Sequence, residues 1–350
     1  MKKAILGFLG IVVVACLAVG QEEIGRSQAI VASADRVVEL QRTDLGWEGT
    51  WYWYVGNDYN ATNLTGVTAL GLLEAFRDVK DPAYLDSAKD AAAFIMAHLG
   101  IGATDIQYNS RATAPDIIFL HRLGDVTGDE GYKTRAVTEW VNLKYKYPTV
   151  AELDTYFRSI NRRISWDIAF FLEAADLSGD AAWADGAAAI LADTADAFYY
   201  GTDNDFYALN VAAAVRALIG CGYYNDYRPQ VGELLSWLLA MADTSLGVGG
   251  YIQDTAYAIL ALNTVGGGAR SYSNSLARWL LHRITSDGGW LEGGTEYPEI
   301  DGEALRALGV TISSNVTLDG FEAGANKSAT LRPVVREKRV MPFMDGNDLR

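Results

Sequence analysis

The chain has 350 residues, 50% of them hydrophobic, and a formal net charge of −15 at pH 7. This much apolar material can fill a large core without disulfides or a structural metal, and only two cysteines occur. The strong negative charge repels nucleic acid and anionic lipid surfaces, so we predict no nucleic-acid partner.

The first 20 residues predict an export signal. Two lysines precede an almost wholly apolar stretch over 4–20, and small residues at its end suit cleavage before Gln21. Two alternatives stay open: acylation of Cys16, which would make a lipoprotein, and an uncleaved anchor, for which about 17 residues is close to the lower limit. We expect an exported protein, secreted, periplasmic or on the cell surface, that touches a membrane only if the leader is retained or Cys16 is lipidated.

A pair of helical segments then recurs six times, at intervals of roughly 43 to 51 residues. One member of each pair is apolar nearly all round, which is typical of a buried helix; these members begin at Gly66, Pro115, Trp166, Leu209, Asp254 and Asp301. The other member is amphipathic; these members begin near Arg26, Ala83, Tyr132, Ala182, Pro229 and Ser271. The alternation predicts an all-α fold, an (α/α)6 toroid of six helical hairpins with the apolar helices inside.

Such a ring can hold residues 21–312 as one domain. The remaining segment, 313–350, loses the helical pattern and alternates apolar and polar residues around 329–335. We expect a short non-helical extension that straps the ring or forms a tail.

The connections predict that the two ends of the ring differ. Short polar turns lead from inner to outer helices, and Asp81, Asp129 and Asp180 stand where an N-cap is expected. The opposite connections are longer and cover 46–65, 100–114, 147–165, 201–207, 244–253 and 287–300. Long loops gathered at one end of a rigid scaffold are where a functional site is expected.

Several of these segments resemble known toroid families. Residues 253–262, 287–290 and 301–308 resemble repeats of the terpenoid cyclase and protein prenyltransferase superfamily, and the turns ending at Asp129 and Asp180 resemble those of six-hairpin glycosidases and toroidal polysaccharide lyases. The resemblance implies the architecture and no specific family. The acidic box of the cyclases and the zinc ligands of the prenyltransferases have no match in this sequence, so we predict no metal and no cofactor.

Aromatic rings and carboxylates are concentrated in the long loops. Flat aromatic faces stack on sugars and carboxylates accept hydrogen bonds from hydroxyls, which favours a glycan ligand; the alternative is that several rings only seal the rim. The predicted glycan-binding residues are Trp47, Trp51, Trp53, Asp58, Tyr108, Tyr156, Arg162, Tyr207, Tyr251, Trp290, Glu292 and Tyr297.

Five carboxylates stand at or just inside the start of an inner helix, at the loop-rich end: Asp116, Asp167, Asp254, Asp301 and Glu303. Glycoside hydrolysis needs two such groups across the scissile bond, one protonated and one ionised. Because capping and the helix dipole also favour acids there, a structural role is the alternative for each.

A lyase would instead need a cation to neutralise the substrate carboxylate, for which Arg158, Arg162 and Arg163 are candidates; the alternative is that they form salt bridges with the abundant acids. We expect His121 to be a core residue and Cys221 an inert thiol. The sequence favours an exported carbohydrate-active toroid, and whether it cleaves its polysaccharide as a hydrolase or a lyase stays open. The other hypotheses are a non-catalytic surface or adhesion module and an isoprenoid-handling enzyme.

Overall fold

The computed structural model describes residues 25–57, 64–98, 112–144, 149–159, 166–198, 207–243 and 245–313. The predicted export signal and nearly all of the predicted extension lie outside these ranges. The described helices are α1 (25–39), α2 (Thr65–Val79), α3 (Pro82–His98), α4 (Ala114–Thr127), α5 (Glu130–Lys144), α6 (Val150–Ser159), α7 (Trp166–Leu177), α8 (Ala181–Phe198), α9 (Tyr207–Gly220), α10 (Arg228–Met241), α11 (Ile252–Val265), α12 (Ala269–Leu281) and α13 (Pro298–Ser313). Two antiparallel hairpins join β1 (Ala242–Asp243) to β2 (Gly247–Val248) and β3 (Leu291–Glu292) to β4 (Thr295–Glu296).

Six of the helices form a closed inner ring. In chain order α2, α4, α7, α9, α11 and α13 each pack against the next, and α13 packs against α2. The helices α3, α5, α8, α10 and α12 each lie against the inner helix that precedes them, and α1 takes the sixth outer position. The predicted (α/α)6 toroid is therefore confirmed, together with the six inner and six outer segments.

The core lies between the two layers, and burial follows the hydrophobic pattern of each helix. The inner helix α11 is buried along nearly its whole length, whereas the outer helix α12 buries one face and exposes the other. Burial all round requires an apolar circumference, and burial of one face requires an apolar stripe at helical spacing. No helix within the described ranges combines the length and the apolar character needed to cross a membrane.

The seam between the last and the first inner helix depends on two glycines. A Cβ at Gly71 would lie 2.3 Å from the carbonyl oxygen of Gly302, and a Cβ at Gly302 would lie 2.5 Å from the Cα of Thr68. Only residues without a side chain allow the backbones of α2 and α13 to come this close. Glycine at both positions thus lets the ring close.

The short turns have the predicted caps. The Oδ1 atom of Asp81 accepts from the backbone N–H of Ala83 at 2.9 Å, and Asp129 accepts in the same way from Gly131 at 2.8 Å. Asp180 accepts from the N–H of Trp183 at 3.4 Å. Capping satisfies N–H groups that lack a partner in the first turn, so these aspartates are structural.

Three long connections contain elements that the sequence did not predict. Helix α6 lies within 147–165, and the hairpins lie in the connections before α11 and α13. Helix α6 begins with a capping box, since Glu152 N–H donates to the Thr149 hydroxyl at 3.2 Å and Thr149 N–H donates back to the Glu152 carboxylate at 3.1 Å.

Candidate functional site

All inner helices begin at the same end of the ring, the end that receives the long connections; we call it the mouth. The mouth is defined by the first residues of the inner helices, which are Thr65, Ala114, Trp166, Tyr207, Ile252 and Pro298. The sequence places its five candidate carboxylates here. The structure separates those that only support the backbone from those that face the interior of the ring.

Asp116 is a capping residue. Its Oδ1 accepts from the backbone N–H of Gly66 at 2.8 Å, and its Oδ2 accepts from the N–H and the hydroxyl of Thr113 at 2.9 and 2.8 Å. Burial raises the pKa of Asp116 to about 6, although the bonds from Thr113 and Gly66 lower it. Because both oxygens bind the protein's own donors, we withdraw the catalytic prediction for Asp116.

The carboxyl of Asp301 also contacts groups of the protein itself. Its Oδ1 accepts from the backbone N–H of Trp290 at 2.7 Å, and its carboxyl lies beside that of Glu296. Glu296 is held in turn by the Arg36 guanidinium of α1, with bonds of 2.8 and 2.9 Å. This arrangement fixes the β3–β4 connection to α1. Because Asp301 Oδ2, like Glu303 Oε2, is buried without a hydrogen bond among the described residues, its catalytic role stays a prediction beside this structural one.

Glu292, predicted to bind substrate, holds the start of α11. Its Oε2 accepts from the backbone N–H groups of Ile252 at 2.6 Å and Gln253 at 3.2 Å. A carboxylate here satisfies two unpaired donors and complements the helix dipole. We therefore assign Glu292 to positioning α11 and Gln253, not to sugar contact.

Glu303 faces the interior of the ring. The hydroxyl of Tyr257, on α11, donates to Glu303 Oε1 at 2.7 Å, and the indole N–H of Trp166, on α7, donates to the Tyr257 oxygen. The ring places α9 between α7 and α11, so this chain of bonds crosses the axis. Glu303 Oε2 is buried and makes no hydrogen bond within the described residues.

Glu303 and its neighbour Glu299 share one face of α13, four residues apart. Burial raises the pKa of Glu303 well above its usual range, and the nearby Glu299 and Glu292 raise it further against the effect of Tyr257 and Gln253. Burial also raises the pKa of Glu299 to about 7. A carboxyl group kept neutral at pH 7 can act as a proton donor.

Two predicted carboxylates remain as partners for Glu303. Asp254 is fully buried on α11, three residues before Tyr257 and so on the same face of that helix. Asp167 lies partly buried in the first turn of α7. Asp254 lies on the helix that Tyr257 links to Glu303, and it is the better placed of the two.

Two predicted aromatic contacts are core residues. The rings of Trp51 and Trp290 are fully buried, and their indole N–H groups donate to the carbonyl oxygens of Val37 at 2.8 Å and Leu280 at 3.0 Å. Neither ring has a face left for a sugar, so both are withdrawn from the binding set. The ring of Trp47 lies 5.8 Å from that of Phe94 on the outer helix α3 but stays partly exposed, so its sugar contact remains a prediction.

A partly exposed aromatic cluster does form at the mouth. Trp53 and Tyr54 meet Tyr297 edge-on, with ring centroids 6.4 and 6.0 Å away. The backbone N–H of Val55 donates to the carbonyl of Glu296 at 3.0 Å, which joins the first long connection to the last. Tyr251, also partly exposed, precedes α11. Five of the predicted glycan-binding residues cannot be placed in this cluster. Three lie outside the described ranges, Asp58, Tyr108 and Arg162, and two lie in helices whose side chains at these positions are not described, Tyr156 and Tyr207.

A cationic cluster, which sequence reasoning missed, lies deeper in the ring. Glu173 on α7 pairs with Arg216 on α9 at 2.6 Å and with Arg122 on α4 at 3.6 Å, and Arg306 on α13 acts on it electrostatically. Burial alone would raise the pKa of Glu173, but Arg216, Arg306 and Arg122 together lower it to about 2. The missed signal was a charged residue within an otherwise apolar inner segment.

The remaining reactive side chains are structural where the structure describes them. His121 is buried, and burial lowers its pKa; its Nε2 lies 3.3 Å from the Ser178 hydroxyl. Burial and the nearby Glu173 and Asp176 raise the pKa of the Cys221 thiol far above its usual range, which keeps it unreactive. The described residues hold no group of three or more acidic, histidine or cysteine side chains placed to bind a metal ion.

The fold is shared with several carbohydrate-active and terpenoid enzymes. The chain is similar to an unsaturated glucuronyl hydrolase specific for heparin (TM-score 0.57, 13% identity, 83% of this chain and 97% of that one). It is also similar to an α-1,6-mannanase from Salegentibacter (0.57, 13%, 82% and 99%), whose inactive variant is known in complex with α-1,6-mannotriose, and to a type II terpene cyclase from Scytonema (0.53, 14%, 81% and 97%). No family model and no curated protein matches the sequence. At these identities the likeness establishes the α/α toroid fold, and function has to be argued from the site.

Proposed function

We propose that this protein binds a glycan at the mouth of the ring and cleaves a glycosidic bond there. The observation that carries the proposal is Glu303, a buried carboxyl on the ring interior whose Oε2 makes no hydrogen bond within the described residues. Its raised pKa supports a neutral, proton-donating form at pH 7. The Trp53, Tyr54 and Tyr297 cluster on the rim supports a sugar ligand, because rings of this kind stack on sugar faces.

In the proposed reaction Glu303 protonates the oxygen of the leaving sugar as its bond to the anomeric carbon breaks. The carboxylate that forms keeps the hydrogen bond from Tyr257, which stabilises its charge. Asp254 supplies the second carboxylate, either as a base for water or as a nucleophile. Export, which residues 1–20 predict, would bring the enzyme to polysaccharides outside the cytoplasm.

The test is a polysaccharide panel assayed for new reducing ends and for the absorbance of unsaturated products. We expect reducing ends without unsaturated products, and a loss of about 10²- to 10⁴-fold in kcat for Glu303→Gln. Asp254→Asn should lose activity to a similar degree.

Asp116→Asn is the matched control, since it changes a carboxylate at the start of another inner helix that only caps. Its folded fraction should retain the wild-type kcat. Unsaturated products would show that the protein is a lyase and not a hydrolase. No product from any glycan, together with no glycan that raises the melting temperature, would refute the proposal.

A second candidate is an isoprenoid-handling enzyme, favoured by the aromatic rings inside the ring. Trp166, Phe170 and Tyr257 meet at centroid distances of 4.6 Å for the first pair and 6.5 Å for the second, and such faces can stabilise a carbocation. Arg216 lies over the Phe170 ring at 5.3 Å, however, and a guanidinium beside a carbocation repels it. Incubation with linear isoprenoids should therefore yield no cyclic product. A cyclic product would favour the isoprenoid-handling enzyme over the glycosidase.

A further inference from the structure

A pocket of about 670 Å³ lies on the outside of the ring, at its mouth end. It is formed by the second half of the outer helix α12, the two residues that follow this helix, and the β1–β2 turn. Its volume is typical of sites that bind small molecules. The side chains that line it are those of Ser245, Ser275, Arg278, Trp279, His282 and Arg283. None of these six is acidic, although the whole chain has a net charge of −15.

The guanidinium of Arg283 is held in this pocket by an aromatic ring. Its central carbon lies 4.3 Å from the centroid of the Trp279 ring. Trp279 is buried and fixed by the hairpin, because a Cβ at Gly247 would lie only 2.8 Å from two of its ring carbons. Within the described part of the chain the Arg283 guanidinium makes no ion pair and no hydrogen bond. Stacking fixes the plane of the guanidinium, so its N–H donors are oriented before a ligand binds.

The other polar groups of the lining favour a ligand that accepts hydrogen bonds. The hydroxyls of Ser245 and Ser275 already donate within the protein, to Asp243 at 2.6 Å and to a backbone carbonyl of α12 at 3.0 Å. Arg278 donates to the Ser275 oxygen at 3.3 Å. The indole N–H of Trp279 is buried and has no acceptor among the described residues. Because guanidinium and indole groups only donate, a ligand in this pocket has to supply acceptor oxygens.

Two exposed acids lie near the pocket in the sequence, and each has another role. Asp243 accepts from two backbone N–H groups of the β1–β2 turn, at 2.7 and 3.2 Å, and so fixes that turn. Asp287 accepts from the neighbouring serine hydroxyl at 3.2 Å. Neither forms an ion pair with Arg283. These acids and the negative charge of the whole chain repel a polyanion, which favours a ligand with a single anionic group.

We propose that this pocket binds a small ligand through one carboxylate or sulfate group, which pairs with the Arg283 guanidinium. Two parallel N–H donors of a guanidinium match two oxygens of such a group, which gives both strength and orientation. The anion is either free or carried by an acidic sugar. The site lies on an outer helix, whereas Glu303 lies on an inner one, so this inference goes beyond the proposed cleavage and does not depend on it.

A structural role for Arg283 makes a different prediction. Cations near the C-terminal end of a helix complement its dipole, and Arg283 stands two residues after the end of α12. The dipole requires only a positive charge, which Arg283→Lys retains. Anion binding through a stacked, paired contact requires the planar guanidinium, which Arg283→Lys removes.

The experiment is a calorimetric titration of the full-length protein with sodium sulfate, glucose 6-sulfate, glucuronate and glucose at equal ionic strength. The wild type should bind at least one of the anions saturably and should not bind glucose. Arg283→Gln should weaken the anion affinity by roughly 10-fold, and Arg283→Lys should weaken it by a smaller factor. Equal affinity for sulfate and glucose 6-sulfate would identify a free anion as the ligand, and tighter binding of the sugars would identify an acidic saccharide.

Arg228→Gln is the matched control. Arg228 is also an exposed arginine above an aromatic ring, 5.8 Å from the centroid of Tyr224, but it does not line the pocket. This variant should bind anions as the wild type does, and unchanged melting temperatures would show that all three variants are folded. Three results would overturn the inference: no saturable binding of any anion, wild-type affinity in Arg283→Gln, or wild-type affinity in Arg283→Lys.

The failure of this inference can be distinguished from the failure of the proposed function. Glu303→Gln should bind the anion as the wild type does. Anion binding that depends on Arg283, without cleavage of any polysaccharide, would support the pocket and refute the hydrolase. Cleavage without anion binding would refute the pocket and leave the hydrolase proposal intact.

Discussion

Glu173 and Glu303 are both buried glutamates on inner helices, and their surroundings shift their pKa values in opposite directions. Glu173 is encircled by guanidiniums, which lower its pKa to about 2 against the effect of burial. Glu303 has a phenol and another carboxyl beside it, and burial raises its pKa well above its usual range. The same residue type at similar burial therefore has a lowered pKa as a counter-ion in one place and a raised pKa in the other. The sign of the neighbouring charge decides which role a buried carboxyl takes.

The largest expected effect is on the counter-ion. Glu173→Gln leaves Arg216 buried without its partner at 2.6 Å, and breaking a buried pair in this way costs about 3–5 kcal/mol of unfolding free energy. Urea unfolding at pH 7 measures the loss. Glu39→Gln, which breaks an exposed pair with Arg36, should stay within about 1 kcal/mol of the wild type. Equal losses in the two variants would remove the distinction between Glu173 and an ordinary surface acid.

The contributions of the two glutamates to the free energy of unfolding should also change in different pH ranges. Glu173 has a lowered folded pKa, so its stabilisation is present above the unfolded value of about 4.3 and is lost as pH falls towards 2. Glu303 has a raised folded pKa, so its contribution is greatest below about 4.3 and is lost as pH rises from there towards the raised folded pKa. Each proton contributes a slope of at most about 1.4 kcal/mol per pH unit.

Unfolding free energies of the wild type and Glu303→Gln between pH 5 and 9, roughly the range above the ordinary pKa values of carboxyls, would show this contribution, because the histidines and other titrating groups are common to both proteins. The wild type should lose stability more steeply than the variant as pH rises. Parallel curves would mean that Glu303 titrates like a surface glutamate.

The fold was predictable because its signal repeats. Six apolar segments alternate with six amphipathic ones, and an error in one copy leaves the others to define the ring. Helix α6 occurs once and interrupts the period, so it was missed even though Thr149 and Glu152 form a recognisable capping box. A local signal inside an expected loop was outweighed by the regularity around it.

The site was predictable only in outline. Position at the start of an inner helix selected Glu303, but it selected Asp116 and Asp301 equally. What distinguishes these carboxylates from Glu303 is the backbone donors that bind them. Thr113 and Gly66 donate to Asp116, and Trp290 donates to Asp301. Gly66 belongs to another repeat, and no spacing within one repeat specifies it. Thr113 and Asp116, in contrast, form a capping box whose three-residue spacing is a signal within the sequence.

The tryptophans show the same limit of prediction from sequence. Trp51 and Trp53 are two residues apart in a loop rich in aromatic residues, yet Trp51 is fully buried and Trp53 keeps an accessible ring beside Tyr297. Arg216 and Arg306 were overlooked for the opposite reason. Each stands in a nearly apolar segment, where a single charge was read as part of the pattern and not as an exception to it.

The most direct test of the proton-donor role is the titration of the glutamate carboxyl carbons by NMR in the full-length, isotope-labelled protein. We predict a carboxyl signal that remains in its protonated position at pH 7, disappears in Glu303→Gln and persists in Glu299→Gln. If the Glu303 signal titrates with an ordinary pKa of about 4.3, the group is ionised at neutral pH and is not the acid of a glycosidase.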